Sequence, residues 1–448
     1  MSDNLLFKNN YLQKIIFYLI VLLPITLVTG PFLSDLSVSI ISLLFLYITF
    51  KNKLYNYYTN TFSKIFGIFF VLLLIVSIFS IDPLTSLKKT IFYFRFWIFS
   101  LAIWYILDNR NNLIKNLLIS FSLIFIVLIF DGYIQFFFKE NIFGWPMQGS
   151  RLSSLFKDEL ILGSYLSRLL PIFFAMLIYI RFNENKYKYS LFFIIFASIE
   201  CLTFLSGERV AFFYINFSSI FLIIMMKNYK LFRIFSLVTS IILIFLLTNI
   251  YPQSTERMIN QTITQFGLDD KFNKEVDGYI EFGGPLVKIK DKQIKKNKYI
   301  FSIEHQNHYI SSYRMFKDNK LTGVGPRMFR YMCSEQKYNL WEGCSTHPHN
   351  TYIQLLAEGG LILFMFVLII FLVLLYVIIK HLFLKFYLKK DLFNDYQLCL
   401  ISAILISLWP IVPTGGFFNS WLNTIYFFPV GFLLNSFYSK KNLKNYEN

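Results

Sequence analysis

The chain has 448 residues, of which 56% are hydrophobic and only 15% charged, whereas soluble domains have about 45–50% apolar and about 25% charged residues. This composition excludes an ordinary soluble domain and indicates a polytopic membrane protein. The net charge of +17 would suggest nucleic-acid binding in a soluble protein, but the lysines lie in short segments between apolar runs, as in loops retained in the cytoplasm, so no nucleic-acid partner is expected.

Twelve apolar stretches approach the length of about 20 residues that a helix needs to cross a bilayer. They cover residues 13–31, 35–50, 63–80, 90–107, 117–137, 160–180, 189–206, 210–226, 233–251, 359–382, 397–413 and 419–438. The first lacks a small-residue cleavage site and is followed at once by the second, which is typical of an uncleaved first helix. The sequence therefore predicts an all-α polytopic membrane protein with about twelve transmembrane helices.

The loops between these stretches differ in charge. With the N-terminus inside, the lysine-rich and arginine-rich segments 51–64, 110–115, 181–188, 227–233, 385–390 and 440–444 are all cytoplasmic. The short outer loops then hold only Lys88, Lys89, Lys139, Arg151, Lys157 and Arg209. Because positive charge accumulates on the cytoplasmic side, this asymmetry predicts the orientation.

One loop, residues 252–355, is far longer than the others, and the predicted orientation places it outside, between helices 9 and 10. We therefore divide the chain into residues 1–251 with nine helices, a periplasmic loop domain at 252–355, and residues 356–448 with three helices and a cytoplasmic tail. Within the loop, residues 279–290 resemble a β-hairpin with a Gly283-Gly284 turn. Residues 308–317 and 350–358 are predicted as short helices.

The four cysteines fall into two groups. Cys201 and Cys399 lie in predicted membrane helices and are expected to be small packing residues. Cys333 and Cys344 lie eleven residues apart in the outer loop, where an oxidising compartment would let them pair. No CxxC-type metal knuckle is present, so we predict a structural disulfide here rather than a metal site.

Four of the five histidines lie in the last half of the outer loop, at His305, His308, His347 and His349. Histidine suits proton transfer near neutral pH. The spacing matches no structural zinc pattern, so acid–base chemistry is favoured and no metal is expected. We interpret His305 and His308 as ordinary exposed polar residues.

His349 has a distinctive sequence context. Pro348 disfavours helical geometry for the residue before it, and Asn350 is a natural helix N-cap. His349 is thus expected at the positive end of a helix entering the membrane, which favours the neutral imidazole that a general base needs. A capping or interfacial histidine is the alternative.

Two arginines are predicted in separate outer loops. Arg209 lies in a short turn between two apolar runs, where a charge is costly unless it is paired or functional. Glu208 could neutralise it, which is the structural alternative. Arg151 reaches the same side through an independent loop. Because guanidinium groups bind phosphate oxygens in a bidentate fork, their convergence beside a histidine would suit a diphosphate.

Other basic positions are less specific. Arg314 precedes a Gly323-Val-Gly-Pro segment that is weak as a phosphate loop, because the Walker Lys-Ser/Thr ending is missing. Arg95 and Arg168 lie inside predicted membrane helices, where each could snorkel or pair with Asp131. No catalytic role is assigned to them.

The order of several short motifs resembles the O-antigen ligase and polymerase superfamily over about residues 120–382. These motifs are Asp131-Gly-Tyr-Ile-Gln with Phe143-Gly-Trp-Pro, Arg151 through Leu162-Gly-Ser-Tyr-Leu, Ser206-Gly-Glu-Arg209, Gly323-Val-Gly-Pro, His347-Pro-His-Asn, and Glu358-Gly-Gly. The His-Pro-His-Asn segment is the strongest of them.

The resemblance implies an inverting, metal-independent and cofactor-free glycosyltransferase of lipopolysaccharide biosynthesis in the bacterial inner membrane. It implies transfer of a glycan from undecaprenyl diphosphate to an acceptor such as lipid A core on the periplasmic face. By position, His349 matches the essential histidine, Arg151 and Arg209 match outer-face arginines, and Arg314 matches a basic position less securely. Supporting roles fall to Asn350, Glu208 and His347.

The sequence departs from the simplest family pattern in the Lys288–Lys298 insertion and in the predicted disulfide, and both concern the acceptor side. An O-antigen polymerase or a protein O-oligosaccharyltransferase would use the same donor, so these alternatives stay open. A lipid-linked glycan transporter is disfavoured, because it would bury charged groups along a central path instead of at one face.

Overall fold

The computed structural model describes residues 2–252, 255–265, 275–276, 279–280, 287–288, 302–340 and 343–439. The first nine helices are α1 (Ser2–Thr26), α2 (Pro31–Lys51), α3 (Thr61–Ile78), α4 (Pro83–Thr90), α5 (Phe94–Asn109), α6 (Leu113–Phe138), α7 (Leu162–Tyr179), α8 (Lys186–Leu205) and α9 (Arg209–Met225). The others are α10 (Lys230–Ile250), α11 (Gln261–Gln265), α12 (Ile303–Asp318), α13 (Phe329–Met332), α14 (Thr351–Tyr387), α15 (Asp395–Ser407) and α16 (Ser420–Tyr438).

A helix lies at each of the twelve predicted apolar stretches. Within the described residues, eight helical segments are long and apolar enough to cross a membrane: 31–51, 61–78, 83–109, 113–138, 162–179, 186–205, 230–250 and 351–387. Three shorter apolar helices, at 11–26, 209–225 and 395–407, accompany them. The helical membrane architecture is thus confirmed, while the full count of twelve spans and the outer position of the long loop stay predictions.

The hairpin in the long loop is also present. Strands β1 (Glu275–Val276), β2 (Tyr279–Ile280) and β3 (Val287–Lys288) form an antiparallel sheet in chain order. In its register Tyr279 pairs with Lys288 and Ile280 with Val287. The predicted Gly283-Gly284 turn and the Lys-rich insertion after Lys288 lie outside the described residues.

Ion pairs join charged side chains of neighbouring helices, as a low-dielectric environment favours. Arg233 of α10 and Glu200 of α8 form an ion pair of 2.6 Å, with each side chain only 2% exposed. Arg95 of α5 pairs with Asp35 of α2, also at 2.6 Å. The suggested pairing of Arg95 or Arg168 with Asp131 is therefore wrong for Arg95.

Asp131 instead organises the loop that follows its own helix. Its carboxylate accepts hydrogen bonds from the Ser154 hydroxyl and from the Ile142 backbone N–H. Arg168, the other candidate partner, donates from Nη2 to Thr414 Oγ1 at 3.3 Å. Its guanidinium carbon also lies 4.7 Å from the centre of the Tyr214 ring. Asp131 thus holds a loop in place, and Arg168 lies in a different part of the helix bundle.

Helix α14 contains a backbone break at Gly360, where φ is 59°. The Gly323–Gly325 segment docks onto this break, since Val324 N donates to Ala357 O at 2.9 Å and Gly325 N to Glu358 O at 3.0 Å. A Cβ on Gly323 would lie 2.5 Å from Ala357 O. These glycines therefore permit close backbone packing, which accounts for them without a phosphate loop.

The two short helices predicted in the loop have different outcomes. The first is part of α12, which is longer than predicted. The second, at 350–358, is the beginning of the long helix α14 before its break. The predicted boundary between this short helix and the membrane stretch is confirmed, because the backbone at Gly360 is not helical.

Candidate active site

His349 lies immediately before the N-cap of α14. As predicted, the Asn350 side chain caps the helix by accepting from the N–H groups of Tyr352 and Ile353, at 3.0 and 3.1 Å. Asn350 Nδ2 also donates to Pro410 O at 2.8 Å. His349 has a φ of 55°, and its carbonyl accepts from Thr414 N at 2.7 Å. The backbone on both sides of the imidazole is therefore fixed.

The other three loop histidines surround His349. Its ring centre lies 4.2 Å from that of His347 and 5.3 Å from those of both His305 and His308. We call these four residues the histidine cluster. No group of three or more His, Cys, Asp or Glu side chains in the described part of the chain is arranged to hold a metal ion.

The interpretation of His305 and His308 as exposed residues is wrong. His308 is only 5% exposed, and His305 is half-buried. They are three residues apart and thus share one face of α12, which packs against the start of α14. This i, i+3 spacing was the available signal, but the sequence does not show that α12 folds back onto His349.

Burial keeps the cluster neutral. Desolvation lowers the pKa of His349, and it lowers the pKa of both His305 and His308 to about 4, with a further contribution from the neighbouring rings. The pKa of His347 falls to about 3 for the same reasons. Since a neutral imidazole can accept a proton, each ring is in the form that a general base requires.

Three arginines gather beside the cluster. Arg151 and Arg257 lie on either side of Gly207, where a Cβ would meet Arg151 Cγ at 3.1 Å and Arg257 Cδ at 3.3 Å. Arg209 lies close enough to Arg151 and Arg257 for their positive charges to repel its own. It also lies close enough to His305 for its charge to lower the pKa of that imidazole. We call Arg151, Arg209 and Arg257 the arginine cluster. It brings together the two arginines predicted from separate loops.

Hydrogen bonds to the chain position these guanidinium groups. Arg151 Nη2 donates to Leu160 O at 3.0 Å, and Arg257 Nε donates to Gly207 O at 2.9 Å. Burial lowers the pKa of both arginines, and the nearby carboxylate of Glu208 opposes this shift. Arg257 was missed by the sequence analysis, because it lies in the polar loop after α10 with no motif around it.

Glu208 has a different role from the predicted neutralisation of Arg209. Its carboxylate accepts from the backbone N–H groups of Gly163 and Ser164, at 2.6 and 3.1 Å, and from the Ser164 hydroxyl at 2.8 Å. These are the first N–H groups of α7, where a carboxylate is favourable. Glu208 thus ties α7 to the turn that carries Arg209.

The structure does not bring Arg314 to this site. Arg314 is exposed on α12, nine residues after His305, which places it about 180° around the helix from the face that meets His349. The predicted contact of Arg314 with a diphosphate therefore has no support in the geometry.

The structure joins Cys333 and Cys344 in a disulfide with a Cα–Cα distance of 5.1 Å. The bridge ties the segment after α13 to the residues that precede His347. Cys201 and Cys399 are free and buried, which agrees with their interpretation as packing residues.

Membrane-length helices with a histidine cluster at the start of α14 and an arginine cluster around Gly207 define a polytopic membrane protein with a polar site at one end of its helix bundle. Residues 190–368 match the protein family described as O-antigen ligase, which supports the resemblance to the O-antigen ligase superfamily, and that family implies an enzyme of the membrane glycosyltransferase type. The matched segment includes all four clustered histidines, Arg209 and Arg257, whereas Arg151 precedes it. No curated protein matches the chain.

Proposed function

We propose that the protein is an O-antigen ligase-type glycosyltransferase of the bacterial inner membrane. It transfers a glycan from undecaprenyl diphosphate to lipid A core on the periplasmic face, with inversion and without a metal. The observation that carries this proposal is the position of neutral His349 next to the arginine cluster, with His305 in contact with His349 and within reach of the Arg209 charge.

The geometry supports a single displacement. His349 removes the proton from the acceptor hydroxyl as its oxygen attacks the anomeric carbon of the donor sugar. The bond from that carbon to the diphosphate oxygen breaks, and its electron pair remains on the diphosphate. Arg151, Arg209 and Arg257 stabilise the negative charge that develops there. The proton on His349 then passes to solvent, which restores the neutral base.

The periplasmic location of the site determines the type of donor. Sugar nucleotides and ATP are not available outside the inner membrane, so a transferase there needs a sugar that is already activated on a lipid. The charge asymmetry of the short loops supports this orientation, because the site lies at loops on the side with few lysines. The substrates proposed are therefore a lipid-linked glycan and a glycan acceptor.

Two other enzymes would use the same donor site. An O-antigen polymerase would take a second lipid-linked glycan as acceptor, and a protein O-oligosaccharyltransferase would take a Ser or Thr hydroxyl. A non-enzymatic transporter of lipid-linked glycans is disfavoured, because the polar side chains described above gather at one end of the helices and the buried Arg233–Glu200 pair is internally neutralised.

The test is a complementation experiment in a strain that lacks the native gene. His349→Ala and Arg209→Ala are expressed beside the wild-type chain, with Arg181→Ala as a control because Arg181 is exposed and its ion pair is with the neighbouring Glu184. After membrane levels are matched, surface polysaccharide and lipid-linked intermediates are compared.

Each pattern of intermediates has a distinct meaning. Full-length glycan that accumulates on undecaprenyl diphosphate in both site variants supports the ligase. Single repeat units on the carrier indicate a polymerase, and glycan missing from proteins alone indicates a protein transferase. Wild-type behaviour of both site variants would overturn the proposed site and favour the transporter.

A further inference from the structure

A second group of basic residues lines a cleft on another side of the histidine cluster. The cleft has a volume of about 220 Å³ and lies between α4, the segment before α13, and the segment before α16. Lys89, Arg327 and Arg330 contribute positive charge, and His347 forms part of its wall. We call this the basic cleft.

The backbone around the basic cleft is anchored at several points. Ser86 Oγ of α4 donates to Pro326 O at 3.0 Å, and Ser80 Oγ donates to Val324 O at 3.1 Å. These bonds hold the segment before α13 against α4, and Arg327 and Lys89 both line the cleft. Arg330 Nη2 donates to Thr346 O at 3.2 Å, which links the same segment to the histidine motif.

Two carboxylates, Asp35 and Glu358, lie near enough to act on Lys89 and Arg330, but they offset only part of the positive charge of the cleft. Among the described residues, none of Lys89, Arg327 and Arg330 forms an ion pair, and Asp35 is already paired with Arg95. Glu358 is occupied by the Phe329 N–H and the Gln354 amide, at 2.9 and 2.8 Å. Three cations around one small cleft repel each other, so an anion there would be stabilised.

His347 adds a second observation. Its Nδ1 shares a hydrogen bond of 2.9 Å with Thr346 Oγ1, whereas its buried Nε2 has no partner in the described part of the structure. A buried polar nitrogen without a partner costs free energy unless a ligand satisfies it. The cleft therefore presents three positive charges beside the imidazole of His347.

We propose that the basic cleft binds a phosphoryl group of the acceptor substrate, which makes it a second anion site separate from the arginine cluster. This inference rests on the proposed function. The charge of Arg209 in the arginine cluster lowers the pKa of His305, and the charge of Arg330 in the basic cleft lowers the pKa of His347. Both histidines contact His349. In an inverting displacement the nucleophile approaches opposite the leaving group, so acceptor and donor need separate anchors around one base.

A phosphoryl group of this kind has two sources. It belongs either to a phosphorylated glycolipid, as in lipid A core, or to the diphosphate of a second lipid-linked glycan. Arg327 and Arg330 suit both, because guanidinium groups bind phosphate oxygens in pairs. A glycolipid source would indicate a ligase, and a second lipid-linked glycan would indicate a polymerase. The test distinguishes the two sources by which acceptor is supplied.

The test uses the full chain reconstituted in liposomes with undecaprenyl-diphosphate-linked glycan. Lys89→Ala and Arg330→Ala are compared with Lys88→Ala, a matched control since Lys88 is exposed on the same helix. Three acceptor conditions are used: lipid A core with its phosphates, the same glycolipid after phosphate removal, and no glycolipid. Initial rates give KM for donor and acceptor separately.

With the phosphorylated glycolipid, Lys89→Ala and Arg330→Ala should raise the acceptor KM at least tenfold and leave the donor KM within twofold. With the dephosphorylated glycolipid, the variants and the wild type should be equally poor. If the wild type instead elongates the glycan without any glycolipid, and the same variants reduce this elongation tenfold, the phosphoryl source is a second donor molecule.

The proposal is overturned if the wild type is active and both variants behave like Lys88→Ala, or if, with the phosphorylated glycolipid as acceptor, they raise the donor KM. It is also overturned if dephosphorylated and phosphorylated glycolipid are used equally well. A wild-type protein that transfers glycan under none of the three conditions contradicts the proposed function itself, which distinguishes the two failures.

Discussion

The rings of His305 and His349 lie 5.3 Å apart although 44 residues separate them in the chain. This contact joins α12, in the long loop, to the start of the membrane helix α14. It also places the Arg209 charge near the proposed base, because that charge acts on His305. The active site therefore depends on the docking of a loop helix onto a membrane helix.

The first prediction concerns the pH dependence of transfer. Burial lowers the pKa of His349, so this imidazole remains neutral at a pH below its ordinary pKa of about 6.5. The rate should therefore stay constant as the pH falls to 6.5 and decrease only at lower pH. Initial rates of the reconstituted protein between pH 5 and 8 measure this, and a decline centred above pH 6.5 would contradict the assignment.

The second prediction concerns Arg257, which the sequence analysis missed. Arg257→Ala should reduce kcat by about 100-fold, because removal of one donor that stabilises developing charge typically costs this much. Arg257→Lys should recover only part of the rate, since an ammonium lacks the bidentate fork. Activity of Arg257→Ala within threefold of the wild type would remove it from the arginine cluster.

The third prediction concerns Arg314, for which sequence and structure disagree. Arg314→Ala should change kcat and donor KM by less than twofold, because its side chain is exposed on the face of α12 away from His349. The same assay applied to Arg209→Ala should show a large loss. A comparable loss in Arg314→Ala would restore the assignment that the sequence favoured.

The fourth prediction concerns the docking of the Gly323–Gly325 segment. A Cβ on Gly325 would lie 1.8 Å from Ser80 Oγ, and its φ of 109° is strained for other residues. Gly325→Ala should therefore destabilise the protein by about 1–3 kcal/mol, the usual cost of overpacking. Thermal unfolding in detergent measures the loss.

Gly67→Ala is the matched control for this substitution, because nothing lies within 4 Å of a Cβ at that position of α3. It should unfold at the wild-type temperature or slightly above it. Equal stability of the two variants would mean that the segment is not packed as described.

The fifth prediction concerns the disulfide between Cys333 and Cys344. A bridge that closes a loop of this length stabilises a protein by about 2–4 kcal/mol, so reductant should lower the unfolding temperature of the wild type. The Cys333→Ala/Cys344→Ala double variant should start at the lower temperature and not respond to reductant. If the wild type does not respond either, the bridge contributes nothing to stability.

Much of the fold was predictable because bilayer length imposes a strong pattern on the sequence. Every predicted apolar stretch contains a helix, and the Asn350 cap follows from side-chain chemistry that acts over three residues. The boundary between the short helix 350–358 and the membrane stretch 359–382 was predicted and coincides with the break at Gly360, but the backbone conformation there was not predicted. The docked Gly323–Gly325 segment shows why Gly323 and Gly360 are needed, since a Cβ on either would collide with the backbone of the other segment.

Part of the site was also predictable from the sequence. His349, Arg151 and Arg209 were found because each lies in a short motif, and the structure brings the two arginines together. His305, His308 and Arg257 were missed, because their positions depend on how the long loop folds over the helices. That packing is a tertiary property with no local signal.

The most direct test of the central claim separates donor binding from chemistry in the reconstituted protein. We expect His349→Ala to bind undecaprenyl-diphosphate-linked glycan with wild-type affinity but to transfer it at least 100-fold more slowly, whereas Arg209→Ala should weaken donor binding as well. Transfer by His349→Ala at a rate near that of the wild type would contradict the assignment of His349 as the base.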